Sequence, residues 1–166
     1  MFRTIADFTS SWNAESGNTA RLLRTLTDSS LHARMDDQGR TLGRIAWHLV
    51  ETLGEMLPAA GLKFDFHADP SDVPSRASDI ADAYERGARL LLEAVSAQWS
   101  DASLLETTNM YGQDWMRGFT LQCLILHQAH HRGQLTVIMR QAGLQVPGMV
   151  GPSREEWASM GMPAQD

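Results

Sequence analysis

Residues 119–143 read FTLQCLILHQAHHRGQLTVIMRQAG, the longest uninterrupted helical pattern in the chain. Leu124, Leu135, Ile138 and Ala142 recur there at helical spacing. Set into the pattern is the run His127, Gln128, Ala129, His130, His131, Arg132, Gly133, Gln134. Residues four apart lie about 40° from one another around a helix, so His127 and His131 point the same way. Neutral imidazoles in that arrangement can grip one metal ion, with a third ligand from elsewhere in the chain.

Working outward, three more helical patterns emerge. The first covers residues 4–31, with Ile5, Phe8, Trp12, Leu22, Leu23 and Leu26 on its apolar face and Gly17 as a weak point. Residues 36–39 signal a turn. The second runs over residues 42–60, with Thr41 as its N-cap and a stripe of Ile45, His48, Leu49, Thr52, Leu53 and Met56. Ala60-Gly61-Leu62 closes it with a glycine suited to a left-handed turn and a hydrophobe after it; Ala142-Gly143-Leu144 closes the last long helix in the same way. The third covers residues 75–99, with Ser75 as its cap and Ile80, Tyr84, Leu91, Leu92, Val95 and Trp99 facing inward. Residues 100–117 are not helical by pattern and have room for a short extended pair. In the tail, residues 146–166, Ser153 and Glu156 form a capping box ahead of a short helix.

Four long amphipathic helices with almost no strand signal predict an all-α four-helix bundle in one domain over residues 1–166. The segment 62–74 is loop, and about 13 extended residues reach roughly 40 Å. A 20-residue helix is about 30 Å long. A crossover running the length of the bundle is therefore allowed between the second and third helices.

Composition excludes several classes. The formal charge is −6 with no basic run, which argues against a nucleic-acid or anionic-membrane partner. No window approaches the ~20 apolar residues of a membrane span, and residues 1–16 lack the apolar core of a signal peptide. One cysteine, Cys123, cannot form an internal disulfide, which fits a cytoplasmic protein. Five tryptophans and nine methionines in so short a chain suggest an apolar surface shared between two copies, hence a homodimer.

His48 lies on the inward stripe of the second helix. Alone it would read as a core histidine. With His127 and His131 on a partner helix it reads as the third metal ligand, leaving open positions on the ion. His130 is not excluded by helix geometry, and Cys123 lies one turn before His127 on a similar face; both are weaker candidates. Glu51, one turn after His48, can be a carboxylate supporting the site, a general base or a solvated helix residue. Arg132 can hold a carboxylate or a buried ion pair between helices. Gly133, costing ~1 kcal/mol inside a helix, suggests close approach by another helix or a ligand. Gln128 stands where the glutamate of the zinc-protease motif would be, so that motif is absent.

The block His127-x-x-x-His131-Arg132-Gly133-Gln134 late in an all-helical chain, with a histidine in the second helix, resembles the DinB-like family, which includes the YfiT-like proteins. Trp115-x-Arg117-Gly118, Val146-Pro147-Gly148 and the stretch from Gly151 to Trp157 support the resemblance over nearly the whole chain. It implies an up-down-down-up bundle, a homodimer, and a three-histidine metal site mapping onto His48, His127 and His131, with zinc or nickel bound. Characterised relatives imply a thiol-dependent S-transferase or isomerase acting with a low-molecular-weight thiol on a small-molecule substrate. On that reading Gln134, Trp115, Tyr111 and Arg132 shape the pocket. The alternatives are a metal-dependent hydrolase with Glu51 as base, and a non-enzymatic metal-binding dimeric module.

Overall fold

The computed structural model describes residues 1–163. Four helices carry the fold: α1 (Ile5–Leu23), α2 (Leu42–Ala59), α3 (Ala77–Gln98) and α4 (Arg117–Gln141). A two-stranded antiparallel hairpin, β1 (Thr107–Met110) and β2 (Gln113–Met116), fills the extended segment before α4, with Thr107 opposite Met116.

Long-range hydrogen bonds establish the helix directions. Trp12 Nε1 donates to Ala88 O, Arg24 pairs with Glu85, and Ile5 N–H reaches Asp101, so α1 and α3 are antiparallel. Phe2 N–H donates to Gly118 O and Arg132 reaches Glu15 O, so α1 and α4 are parallel. Arg117 reaches Ala60 O and Gln128 reaches Leu49 O, so α2 and α4 are antiparallel. The topology is therefore up-down-down-up, with α2 running alongside α3.

The parallel α2–α3 pair requires the long crossover. Phe66 wedges between the two helices, where a Cβ on Gly54 would meet Phe66 O at 2.9 Å and one on Gly87 would meet the ring at 2.5 Å. Farther along, Trp47 Nε1 donates to Asp69 O at 2.7 Å. Only residues without a Cβ let the loop lie this close to both helices.

Both helix stops close as the sequence predicts. Leu62 N–H donates to Leu57 O and Gly61 N–H to Pro58 O, while Leu144 and Gly143 repeat the pattern on Met139 and Arg140. Gly61 has φ +90° and Gly143 φ +74°, a region that costs glycine nothing.

Three boundaries differ from the sequence reading. The first helix stops at Leu23, and a separate 3₁₀ turn occupies Asp28–His32. Thr25, Thr27 and Ser30 explain the break, because their hydroxyls bond nearby backbone and Thr27 with Ser30 forms a reciprocal cap. Ser75 does not cap α3; Asp28 Oδ1, from that 3₁₀ turn, accepts from Ala77 N–H at 2.8 Å instead. The C-terminal helix is a 3₁₀ helix over Arg154–Met160, and of the expected capping box the Glu156 half is present, its Oε2 accepting from Ser153 N–H at 3.1 Å.

The core is continuous across the four helices, from Phe8, Trp12 and Leu22 through Leu49, Leu53 and Leu57 to Tyr84, Leu91, Leu124 and Leu135. It holds α2 and α4 side by side, and the histidines sit at that seam.

Candidate metal centre

His48 comes from the middle of α2, and His127 and His131 from successive turns of α4. Their ring centroids lie 5.1 Å apart for His48 and His127, 4.8 Å for His48 and His131, and 4.4 Å for His127 and His131. One ligand atom from each falls within 4.8 Å of the other two. The three side chains could hold a metal ion.

The orientation of the rings fits that role. His127 Nε2 and His131 Nε2 stand 3.1 Å apart. Two nitrogens bound to one tetrahedral zinc at about 2.0–2.1 Å would stand about 3.4 Å apart. His131 Nδ1 meets Gln134 Oε1 at 2.7 Å, which makes Nδ1 the protonated nitrogen and frees Nε2. His48 Nδ1 meets Glu51 Oε2 at 3.2 Å, leaving its Nε2 for the site in the same way. The Nδ1 of His127 is buried with no partner, so this third ring lacks such an anchor.

Burial, with the neighbouring His131, His48 and His130, pushes the His127 pKa down to about 4. Burial also lowers His131, opposed by its bond to Gln134. Both imidazoles are therefore neutral at pH 7, the form that ligates metal.

Glu51 is 8% exposed and so is not a solvated helix residue. Arg44 grips both its oxygens, at 3.0 Å to Oε2 and more closely to Oε1. Burial works against ionisation, but the hydrogen bonds and charges of Arg44 and His48 prevail and hold the carboxyl below its ordinary value. Arg44, His48 and Glu51 form one chain along α2. The sequence reading missed Arg44, although residues seven apart share a helix face.

Other candidates lie elsewhere. Arg132 is 4% exposed, but it turns toward α1, where it pairs with Glu15 and donates to Glu15 O and Thr19 Oγ1. Tyr111 and Trp115 pack edge to face, Trp115 against Phe119 likewise, and Tyr111 OH bonds Glu55 at 3.1 Å. This aromatic group lies at the hairpin end of α4, two turns from His127. His130 is exposed, and neither it nor Cys123 belongs to the convergent set. A Cβ on Gly133 would meet nothing within 4 Å, so the close approach expected there is absent within the chain.

A cavity of about 370 Å³ opens beside His131, lined also by Met35, Arg40, Ile45, Gln134 and Val137. Two larger depressions, of about 420 and 500 Å³, touch no histidine. The loop residues of the cavity carry no pattern by which the sequence could have assigned them to a site.

The family model described as DinB family matches residues 1–166. The chain belongs to the DinB family. It is 46% identical over 164 residues to YrdA of Bacillus subtilis (strain 168), described as uncharacterized, with 99% of this chain and 98% of that protein covered. The crystal structure of a DinB-like protein from Bacillus cereus ATCC 10987 superposes with a TM-score of 0.86 at 41% identity, covering 89% of this chain and 99% of the other. A second DinB-like structure, YjoA of Bacillus subtilis, shares the fold at a TM-score of 0.68 and 15% identity, over 87% and 99% of the two chains. Among the described residues, no helix is long and apolar enough to cross a membrane.

Proposed function

We propose that this DinB family member is a metal-dependent thiol S-transferase or isomerase, with His48, His127 and His131 holding a divalent ion, zinc or nickel. The observation that carries this reading is the convergence of three imidazoles from two helices beside an open cavity. Three protein ligands leave an ion with a free position, as catalysis needs. A bound divalent ion would supply Lewis acidity, lowering the pKa of a thiol cosubstrate toward neutrality. The chain's own residues do the rest. Glu51 and Gln134 orient two of the rings, and Met35, Ile45 and Val137 give the cavity beside His131 an apolar wall.

The thiol reading ranks above metal-dependent hydrolysis for a specific reason. Hydrolysis needs a base, and both oxygens of Glu51 are engaged by Arg44 and His48. A carboxyl held below its ordinary pKa is a weak base. Incubating metal-loaded protein with a panel of low-molecular-weight thiols and monochlorobimane tests the proposal. Conjugation that disappears with chelator supports it; no rate above the metal-free control with any thiol rejects it. Chelator-sensitive cleavage of an ester or amide panel would favour the hydrolase. A non-enzymatic role is disfavoured by the open cavity and by Cys123 standing outside the ligand set.

The protein also acts, on our reading, as a cytoplasmic homodimer. Phe119, Cys123, Leu126, His130, Gly133 and Val137 alternate steps of four and three along α4, the spacing of a helix-pairing seam. Five of the six are exposed, Leu126 by 57% and Val137 by 46%. Between Arg117 and Arg140 the only acidic residue, lysine or arginine is Arg132, which is buried. An uncharged apolar helix face of this length suits a second copy. Light scattering at micromolar concentration should give twice the chain mass of 18.4 kDa, and Leu126→Glu should return it to one chain mass. A wild-type mass near 18.4 kDa would reject the dimer.

A further inference from the structure

The cavity beside His131 has a chemical character of its own. Its volume of about 370 Å³ lies at the small end of the roughly 300–1,000 Å³ typical of ligand pockets. Met35, Ile45, Val137 and Ile138 make most of the wall apolar. The polar groups are few: the His131 edge, Gln134 and Arg40. The Oε1 of Gln134 is already engaged with His131 Nδ1. Arg40 is exposed and, like several other surface arginines, pairs with no carboxylate among the described residues; it is the one arginine that lines this cavity.

We propose that this cavity is a binding site for a small amphipathic carboxylate, its chain lying along Met35, Ile45 and Val137 and its carboxylate paired with Arg40. The inference rests on the reading that the adjoining histidines are the reactive centre, and it deepens that reading by naming a ligand class. The argument is one of complementarity. An unpaired guanidinium at the edge of an apolar chamber offers planar, two-point recognition that a carboxylate matches. A neutral apolar molecule would leave that charge unused. A cationic one would meet it as a like charge. A polyanion such as a nucleotide would bring more charge than one arginine can match, into a chamber too small for it. An acid anchored this way is held next to His131, so Arg40 serves as a specificity residue and not as a reacting one.

Binding is read by calorimetry on the metal-free full-length chain, so that no carboxylate can bind through an ion. The probes are octanoate, octan-1-ol, octylamine and inorganic phosphate. Octanoate should bind at least about tenfold more tightly than octan-1-ol, as expected for one charge-assisted anchor, and octylamine and phosphate should bind more weakly still. Arg40→Gln should weaken octanoate about tenfold and leave octan-1-ol unchanged. Met35→Trp, a change at an exposed loop position away from the α4 seam that narrows the chamber, should weaken binding of both while the melting curve stays cooperative. Equal affinity for octanoate and octan-1-ol, full octanoate affinity in Arg40→Gln, preference for octylamine or phosphate, or no octanoate binding at millimolar concentration would each overturn the proposal. Metal uptake by the same proteins is measured separately: failure to take up metal speaks against the reactive centre, and failure to bind octanoate speaks against the Arg40 site.

Discussion

Replacing Glu51 with glutamine separates two roles that the carboxylate could play, and the sizes can be worked from its contacts. Glutamine keeps the shape but has one acceptor oxygen and no charge, so it cannot serve both Arg44 and His48. The Arg44 side chain is 29% exposed and can turn toward water, so the lost charge-assisted bond should cost the metal-free protein about 1–2 kcal/mol and not the ~3–5 of a stranded buried charge. At this chain length each kcal/mol moves the melting temperature about 2–4 °C, giving a fall of about 2–8 °C. The metal-linked effect is separate. Loss of a carboxylate that orients a ligating histidine weakens metal affinity roughly 10–100-fold. With free metal at about 100 times the wild-type Kd, binding stabilises the fold by about 2.7 kcal/mol; in the variant this drops to about 1.4 if affinity falls tenfold and about 0.4 if it falls a hundredfold. Thermal melts with and without metal, beside a competitive chelator titration, read both quantities. A Glu51→Gln protein that keeps the full metal-induced shift would refute the orienting role. If it also lost turnover, Glu51 would be a base, and the hydrolase reading would regain what it lacks.

Three further outcomes follow from the same geometry. Alanine at His48, His127 or His131 should remove most bound metal and the metal-induced stabilisation together, while His130→Ala should retain both; metal analysis of the purified variants checks this, and loss through His130 alone would mean that α4 faces inward by a different rotation. In chelator, acid should destabilise the fold. His127 has its folded pKa lowered to about 4, so below its unfolded value of 6.5 the unfolded chain takes up the proton first and stability falls as pH drops from about 6.5 to about 4. At pH 5 this amounts to about 1–2 kcal/mol for His127, seen as a lower urea midpoint than at pH 7.5 that His127→Gln should largely remove. Glu15→Ala should strand the buried Arg132 charge and cost about 3 kcal/mol, or about 6–12 °C in melting temperature, whereas methionine at both positions should recover most of the loss; equal stability of Glu15→Ala and wild type would show that the pair contributes nothing.

The residues alone were enough for the helical class, the two glycine stops and the pairing of His127 with His131, because each depends on spacing within one helix. Periodicity of 3.6 residues and the left-handed preference of glycine act over a few residues and leave a readable mark. Local competition was harder to see: the hydroxyls around Thr27 end α1 early although the apolar pattern continues to Leu31. What faces what across helices was decided only by tertiary packing. Arg132 and His131 are neighbours in sequence, yet about 100° of helix rotation sends one toward Glu15 on α1 and the other toward His48 on α2. Glu51 became a partner of Arg44 and His48 instead of a solvated residue because the crowding around α2 removed it from water. The cavity beside His131 exists because the loop carrying Met35 and Arg40 comes to rest against α4. No periodic signal records where such a loop settles, since its position depends on contacts with residues almost 100 places away in the chain.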